Sequence, residues 1–204
     1  MEMVIANRFG SEDKVLVPTN GKFGERVAQI CKNFTQVTHL KGEWGREFDL
    51  EEIDRMLSLK QFNAIAICHN ETSSGITQDA KEIGEIAHKY GVSYILDGIT
   101  SVGGLPVHPH SWNAEAVVVG GQKCTAGPSG ISAVAISKSY VQKMTENREK
   151  NETLPLYYLD LVQALKKAAD DQTPWTPAIN PAMGWAAALE NLKQEGLEQR
   201  WERC

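Results

Sequence analysis

The sequence predicts an α/β protein in three layers, with helices covering both faces of a mostly parallel β-sheet. Segments with the spacing of strands alternate with segments that have the spacing of amphipathic helices, from one end of the 204-residue chain to the other. The run FNAIAICH at residues 62–69 is almost continuously apolar, as expected for a parallel strand that is buried on both faces. The length allows one domain with a sizeable core, and no interdomain linker is recognisable.

The first elements form a β-α-β unit. An apolar stretch at residues 1–9 predicts a helix, and residues 14–18 predict a buried strand. The apolar residues of the next helix recur at helical spacing: Phe23, Val27, Ile30, Cys31 and Phe34. A strand at residues 35–40 then completes the unit. In the loop that follows, we expect Trp44 to anchor the chain in the core.

A helix is expected on each side of the strand at residues 62–69. Asp49 is expected to cap the first helix, because Glu52 follows it at the spacing of a capping box. Thr77 is expected to cap the second helix. Gly91 should end that helix, since a residue with a left-handed backbone is common just after a helix.

Three more strands are expected, at residues 92–96, 116–119 and 131–137. A charged helix at residues 138–150 follows them. After Pro155 we expect another helix, with an apolar stripe made up of Leu159, Val162, Leu165 and Ala169. The last helical stretch is expected to begin at Ala182 and to break at Gly196, because glycine is unfavourable inside a helix.

Composition and charge argue against several classes of binding partner. A net charge of −5 leaves no basic surface for nucleic acid or an anionic membrane, so we expect neither as a partner. The longest apolar runs are strand-sized, too short to span a bilayer, and no secretion signal opens the sequence. The four cysteines are scattered, without metal-ligand spacing, and are expected to be buried free thiols. These features predict a cytoplasmic protein without a metal site.

An acidic residue and a lysine follow two of the predicted strands. Asp97 comes directly after the strand at residues 92–96, and Lys123 comes shortly after the strand at residues 116–119. Since ligands of open α/β sheets bind at the carboxyl ends of the strands, both side chains are candidates for one binding site. Glycines beside Lys123 would let the backbone approach a bulky ligand. Taken singly, each residue is also compatible with an ordinary surface position.

Three motifs follow one another along the chain: HNETSSG at residues 69–75, LDGITSVGG at 96–104 and GGQKCTAGPSG at 120–130. In this order and spacing they resemble the class V aminotransferases, which are pyridoxal-phosphate enzymes of fold type I, and most of all their alanine–glyoxylate and serine–pyruvate branch. Asp97 and Lys123 lie 26 positions apart, similar to the family's separation between the pyridine partner and the catalytic lysine. The similarity covers essentially the whole chain, which corresponds to about half of a family member.

The resemblance implies that several residues bind pyridoxal 5′-phosphate. Lys123 would hold the cofactor as a Schiff base and later transfer a proton, and Asp97 would keep the pyridine nitrogen protonated. Phe23 would stack on the cofactor ring, at a position where many relatives have tryptophan. As an aromatic residue on an amphipathic helix, Phe23 is also compatible with a structural place in the core.

Three polar residues would complete this site. Thr72 would bond to the phenolic oxygen of the cofactor, although Ser and Thr in such a stretch also form turns. Gln122 would contact the phosphate group. Thr176 would contact the phosphate in the neighbouring subunit, which implies a homodimer with composite active sites; its Trp-Thr-Pro context is equally compatible with a rigid loop corner. His69 and Glu71 would support the site from outside.

The implied activity is transfer of an amino group from a small amino acid, such as alanine or serine, to a 2-oxo acid such as glyoxylate. Aminoethylphosphonate transaminases are similar enough to stand as an alternative. Chemistry like that of the cysteine desulfurases is another, although those enzymes have histidine where this chain has Gln122. Outside catalysis, the chain could be a truncated subunit that is retained for its dimer interface.

The resemblance also implies further chain on either side. We assign residues 1–180 to the pyridoxal-phosphate-binding large domain, without its N-terminal part, and residues 181–204 to the start of a helical connection to a small C-terminal domain. Family members carry a phosphate-binding turn in the first missing part and a substrate-binding arginine in the second. The 204 residues alone are therefore expected to bind the cofactor weakly, to lack activity, and to expose apolar surface around Trp185 and Trp201.

Overall fold

A six-stranded sheet forms the centre of the computed structural model, which describes residues 1–150 and 156–204. In chain order the strands are β1 (Lys14–Thr19), β2 (Gln36–Lys41), β3 (Ala64–Cys68), β4 (Asn70–Glu71), β5 (Ile76–Thr77), β6 (Ser93–Asp97), β7 (Ala114–Gly120) and β8 (Ser132–Ile136). The main sheet has the order β2-β1-β3-β6-β7-β8, and β4 pairs separately with β5. Every neighbouring pair of the main sheet is parallel except β7 and β8, which confirms the predicted sheet.

Helices cover both faces of this sheet, as the sequence predicts. They are α1 (Glu2–Arg8), α2 (Lys22–Lys32), α3 (Leu50–Ser58), α4 (Ala80–Lys89), α5 (Lys138–Glu149), α6 (Leu161–Ala168), α7 (Ile179–Glu195) and α8 (Leu197–Arg203). Within residues 1–150 and 156–204, none of them combines the length and apolar character that crossing a bilayer requires.

The core consists of two apolar clusters, one on each face of the sheet. Helices α1, α2, α5 and α6 pack with Val15 and Val17 of β1, whereas α3 and α4 pack with Leu16 of the same strand. Alternate residues of a strand point to opposite faces, so both sides of β1 are buried. Each fully buried aliphatic side chain contributes about 1.5–3 kcal/mol to folding. The three-layer arrangement is therefore confirmed.

Several predicted helix ends agree with the structure. The Asp49 side chain accepts a hydrogen bond from the Glu52 backbone N–H and so caps α3. Gly91 follows α4 with a φ of +67°, and Gly196 separates α7 from α8 with a φ of +87°. Both glycines adopt the left-handed backbone that other residues avoid.

The predicted cap of α4 is wrong. The cap is Asp79, whose side chain accepts a hydrogen bond from the Glu82 backbone N–H. Thr77 lies in β5 instead, and its hydroxyl donates to Asn70 Oδ1 at 2.9 Å. Because Thr77 and Asp79 are both good capping residues, the sequence alone did not distinguish them.

Trp44 was predicted to anchor its loop in the core, and this prediction is wrong. Its side chain is 53 % exposed, whereas Phe48 in the same loop is buried. The Phe48 backbone N–H donates to Gln78 Oε1 at 2.9 Å, which satisfies a buried polar group at the point of anchoring. Phe48 therefore holds this loop.

The stripe predicted after Pro155 is partly wrong, and Pro155 itself lies outside the described residues. Helix α6 begins only after its cap, Asp160, whose side chain accepts from the Gln163 backbone N–H. As a result Leu161 is buried, while Leu165 is 40 % exposed.

The segment from residue 157 to residue 197 contains most of the exposed apolar side chains. They are Tyr157, Tyr158, Leu165, Ile179, Met183, Leu189 and Leu197. The last helices thus expose apolar surface around Trp185 and Trp201, as the sequence predicts, although Trp185 itself is buried and Trp201 is partly buried. Among the cysteines, Cys31 and Cys68 are buried free thiols as expected, but Cys124 is only partly buried and Cys204 is exposed.

The order of the strands reverses at β1. From β1 the chain passes through α2 to β2 on one side, whereas β3 lies on the other side. In open α/β sheets, such a reversal leaves a crevice at the carboxyl ends of the strands. Phe23 follows β1, Asp97 ends β6 and Lys123 follows β7, so the topology brings all three to this edge.

Candidate active site

A cavity of about 390 Å³ lies at the carboxyl ends of β1, β3, β6 and β7. Four of the predicted site residues line it: Phe23, Asp97, Gln122 and Lys123. Cavities of this size are typical of sites for small molecules and cofactors. The structure therefore brings together the residues that the sequence placed at separate strand ends.

Asp97 forms a buried wall of the cavity. Its side chain is 9 % exposed, and Oδ1 accepts a hydrogen bond from the Ile99 backbone N–H at 3.0 Å. Among residues 1–150 and 156–204, the second carboxylate oxygen has no hydrogen-bond partner. Burial raises the pKa of Asp97, and the hydrogen bond from Ile99 opposes this rise only in part. The carboxylate is thus poised to gain from a positively charged or N–H-bearing ligand.

Lys123 lies in the turn that follows β7. Its backbone N–H donates to Gly120 O at 3.3 Å, and its carbonyl oxygen accepts from the Ala126 N–H at 2.9 Å. The side chain is exposed toward the cavity, and no ion pair or side-chain hydrogen bond involves its amine in the described part of the chain. A side chain at Gly121 would place its Cβ 2.9 Å from Ile131 Cγ2, so this close turn requires glycine.

Phe23 lies in the first turn of α2 and lines the cavity, and Glu71 anchors this turn. Glu71 is fully buried, and its Oε2 accepts hydrogen bonds from the backbone N–H groups of Phe23 and Gly24. Its Oε1 accepts from the backbone N–H and the hydroxyl of Ser73. A carboxylate at a helix N-terminus also interacts favourably with the helix dipole. Glu71 therefore supports the position of Phe23, as expected.

His69 supports the site through its backbone. Its N–H donates to the carbonyl oxygen of Asp97 at 3.1 Å, next to the cavity-lining carboxylate. The imidazole itself is buried beside Trp112 and does not line the cavity. Burial lowers the pKa of His69 to about 4, so the ring is neutral at pH 7 and does not act as a charged group there.

Two predicted site residues do not line this cavity. Thr72 is exposed in the turn after Glu71. Thr176 is exposed between Trp175 and α7, and it was expected to reach the site of a neighbouring subunit instead of its own. The roles of both threonines stay predictions.

Three polar residues of the cavity were not singled out from the sequence: Arg26, Cys68 and Thr100. Arg26 follows Phe23 by one helical turn, and its Cζ lies 5.0 Å from the centroid of the Phe23 ring, a cation–π contact. Cys68 pairs with Asp97 across β3 and β6, and burial raises the pKa of its thiol. Their positions in the sequence could have identified them, because each lies at the end of a predicted strand or about one turn from a predicted site residue.

The donor set fits pyridoxal phosphate. The unpaired oxygen of the buried Asp97 carboxylate suits a protonated pyridine nitrogen, since opposite charges favour each other in a site with little water. The primary amine of Lys123, which makes no ion pair or side-chain hydrogen bond within the described residues, suits an aldehyde carbon. The aromatic ring of Phe23 offers a flat apolar wall, while Gln122 and Arg26 offer N–H donors to a phosphate group.

Comparison with known proteins agrees with this reading of the cavity. The profile of the family described as aminotransferase class-V matches residues 1–203. The chain belongs to the class V aminotransferase family. An uncharacterized aminotransferase of Methanocaldococcus jannaschii is 37 % identical over 207 residues, and the match covers all of this chain and 52 % of that protein.

Other relatives of the family carry varied names. The soluble hydrogenase small subunit of a Synechococcus strain is 32 % identical over the whole chain and 53 % of its own length. The 2-aminoethylphosphonate–pyruvate transaminase of Salmonella paratyphi A is 29 % identical over 96 % of the chain and 53 % of its own length. The crystal structure of an alanine–glyoxylate aminotransferase from Nostoc is 29 % identical, with a TM-score of 0.92 over all of this chain and 54 % of that one. The chain thus spans about half the length of the curated relatives it matches.

Proposed function

We propose that the protein is a pyridoxal-phosphate-dependent transaminase, which moves an amino group from alanine, serine or a similar small amino acid to a 2-oxo acid such as glyoxylate. One observation carries this proposal. Lys123 and Phe23 line the same cavity as the buried Asp97, of which one carboxylate oxygen accepts no hydrogen bond in the described part of the chain. Membership of the class V aminotransferase family and the fold of the Nostoc enzyme support it.

In this proposal, pyridoxal phosphate supplies an electron sink that stabilises negative charge at the substrate Cα. Asp97 would accept a hydrogen bond from the pyridine nitrogen and keep it protonated. Phe23 would offer an apolar wall to the ring, and Glu71 fixes that wall by holding the first turn of α2. Gln122 would bind the phosphate group. These residues orient the cofactor, and they leave the proton transfer to Lys123.

Lys123 has two tasks in sequence. Its Nζ would hold the cofactor. Once free of the cofactor, the same amine would accept the proton from the substrate Cα and hold it. A neutral amine is needed for this step.

The substrate and the assembly belong to the same proposal. The Nostoc structure is described as an alanine–glyoxylate aminotransferase, which favours alanine and glyoxylate. The name of the Salmonella relative supports 2-aminoethylphosphonate as the second candidate donor. The hydrogenase name of the Synechococcus relative has no support in the cavity residues. We further propose a cytoplasmic homodimer in which Thr176 reaches the partner's site, and weak cofactor binding with no turnover for the 204 residues alone.

Borohydride reduction in the presence of pyridoxal phosphate, followed by peptide mass spectrometry, tests the central residue. We expect the pyridoxyl group on Lys123 in the wild-type protein and no label at this position in Lys123→Ala. In the longest form of the protein that its gene encodes, the same substitution should abolish transamination. Lys193→Ala is the matched control and should label normally, because Lys193 lies on α7 and does not line the cavity. Preferred labelling of a different lysine would contradict the proposal. Assays with alanine and with 2-aminoethylphosphonate, in the longest form of the protein that its gene encodes, then distinguish the two donors.

A further inference from the structure

The last two helices contact the turn that carries Lys123. We call residues 120–128 the lysine loop. In α7 the buried side chain is Trp185, whose indole lies against this loop. A Cβ at Gly127 would lie 2.5 Å from Trp185 Cδ1, so the indole fits only because Gly127 has no side chain. The sequence predicts that residues 181–204 begin a connection to a further domain, and the contact with the lysine loop is a separate feature of this segment.

A buried hydrogen bond joins the tryptophan to the loop. Trp185 Nε1 donates to Thr125 Oγ1 at 2.9 Å, and the Thr125 hydroxyl donates in turn to Gly121 O at 3.0 Å. The chain of donors therefore runs from α7 to the residue two positions before Lys123. A buried indole N–H and a buried hydroxyl are costly to leave without partners, so each holds the other in place.

The lysine loop depends on such support because of its own backbone. Its ends are closed by the Gly127 N–H, which donates to Gly121 O at 2.7 Å. Ala126 has a φ of +56°, in the left-handed region that residues with a Cβ disfavour. Strained conformations of this kind persist where surrounding contacts determine them. Trp185 is one such contact.

Helix α8 supplies a second contact. The Arg200 guanidinium donates to the Cys124 carbonyl oxygen at 2.7 Å, and it also pairs with Glu195 at 3.1 Å. The Arg200 side chain is only 14 % exposed, so little water competes for the bond. Cys124 is the residue next to Lys123 in the chain. The two helices thus contact the loop on both sides of Lys123, at Gly121 through Thr125 and at Cys124.

We propose that Trp185, through Thr125, and Arg200 are positioning residues for Lys123. They hold the lysine loop in the one conformation that presents the amine to the cavity. The proposal rests on the function proposed above, because it assigns these contacts to the residue that would carry the cofactor. It also implies that a movement of α7 and α8 alters the position of the amine without any change in the cavity residues.

The test compares Trp185→Phe, Thr125→Val and Thr125→Ser with the wild-type protein. Trp185→Phe removes the hydrogen bond from the indole to Thr125, and Thr125→Val removes both that bond and the one from Thr125 to Gly121 O. Thr125→Ser keeps the hydroxyl and both bonds. Trp44→Phe is the matched control, because Trp44 is exposed and lies outside the loop. Hydrogen-exchange mass spectrometry reports on peptides that cover residues 120–130. Borohydride trapping of pyridoxal phosphate reports the labelling of Lys123 relative to the surface residue Lys60.

We expect exchange in the lysine loop to accelerate about tenfold in Trp185→Phe, as loss of one buried hydrogen bond predicts, and more in Thr125→Val, which loses two. The ratio of Lys123 to Lys60 labelling should fall in both variants, and the double variant should behave like Thr125→Val, which already lacks the bond to the indole. Thr125→Ser and Trp44→Phe should resemble the wild type. Arg200→Gln should accelerate exchange in the same peptides.

Two results would overturn the proposal. One is unchanged loop exchange and labelling in Thr125→Val. The other is a uniform acceleration along the whole chain, which would mean that the contact stabilises the fold without positioning Lys123. Failure of the proposed function gives a different result, because Lys123 would then go unlabelled in the wild-type protein while the exchange measurement still decides whether the helices hold the loop. If Trp185→Phe does not fold, the comparison of Thr125→Val with Thr125→Ser remains decisive.

Discussion

Two buried carboxylates follow neighbouring strands, and the protein treats them differently. Glu71, just after β3, accepts hydrogen bonds from Phe23, Gly24 and Ser73, with both oxygens occupied. Asp97, at the end of β6, accepts one hydrogen bond, from Ile99, and its other oxygen has no partner in the described part of the chain. The first carboxylate is enclosed by the fold, and the second is left open to a cavity.

This difference distinguishes a buried carboxylate that stabilises the fold from one that is available to bind a ligand. A buried carboxylate stabilises its surroundings when backbone N–H groups surround it, as they do at Glu71. A buried carboxylate with a free oxygen lowers the stability of the fold. Proteins retain such a group where a ligand supplies the missing hydrogen-bond partner. Glu71 and Asp97 should therefore respond in opposite directions to substitution.

The largest expected effect is at Glu71. Glu71→Ala leaves buried N–H groups of α2 without an acceptor and should lower the free energy of unfolding by about 3–5 kcal/mol. Chemical denaturation at pH 7 measures this loss. Glu43→Ala removes an exposed carboxylate and should change stability by less than about 0.5 kcal/mol. Equal effects of the two substitutions would mean that Glu71 is not the anchor of α2.

A smaller loss is expected at Gly21, which makes room for Glu71. An added Cβ would lie 2.5 Å from Glu71 Cδ and 2.7 Å from Ser73 Oγ, so Gly21→Ala should cost about 2 kcal/mol. The control is Gly42→Ala, where the nearest atom outside the adjacent residues, Thr19 O, lies at 3.4 Å. Thermal unfolding should distinguish them clearly, and a neutral Gly21→Ala would show that the space beside Glu71 is not needed.

Asp97→Asn should change the free energy of unfolding in the opposite direction. Asparagine keeps the acceptor for the Ile99 N–H but removes the buried charge, so stability at pH 7 should rise by about 1 kcal/mol. Affinity for pyridoxal phosphate should fall in the same variant, because the partner of the pyridine nitrogen loses its charge. Denaturation and cofactor titration on one preparation measure both effects. A destabilised variant that still binds tightly would reverse the roles given to the two carboxylates.

The smallest expected effect is the pH dependence of the difference in stability between Asp97→Asn and the wild-type protein. Because the folded-state pKa of Asp97 is raised above its ordinary value of 3.8, the folded protein holds more protons than the unfolded chain between the two values. Asp97 therefore lowers stability as the pH rises through this window, and the loss is complete above the folded-state pKa. The stability difference between Asp97→Asn and wild type should grow over this range and then level off. A difference that is independent of pH would show that the charge of Asp97 is not responsible.

The sequence predicted the sheet and the edge where the site lies, because strand and helix periods are local properties. Asp97 and Lys123 could be assigned to one edge since the carboxyl ends of parallel strands meet there. Trp44 and Thr77 were misplaced because several residues nearby could fill the same role, and tertiary contacts selected Phe48 and Asp79.

Long-range contacts could not be predicted, because they depend on the tertiary structure and not on the local sequence. The fit of Gly127 against Trp185 joins residues 58 positions apart, and neither carries a local signal of the other. Arg26 was missed although it lies one turn after Phe23, because a charged residue on an amphipathic helix is ordinarily solvent-exposed. What the sequence did supply was the set of motifs around Asp97 and Lys123.

The most direct test of this comparison is carbon-13 NMR of the Asp97 and Glu71 carboxyl groups, with and without saturating pyridoxal phosphate. Resonances are assigned with Asp97→Asn and, for Glu71, with Glu71→Gln. We predict that the pKa of Asp97 is raised in the free protein and falls when the cofactor binds, while the Glu71 resonance keeps its position. If the cofactor binds and the titration of Asp97 does not change, Asp97 is not its partner and the central claim is wrong.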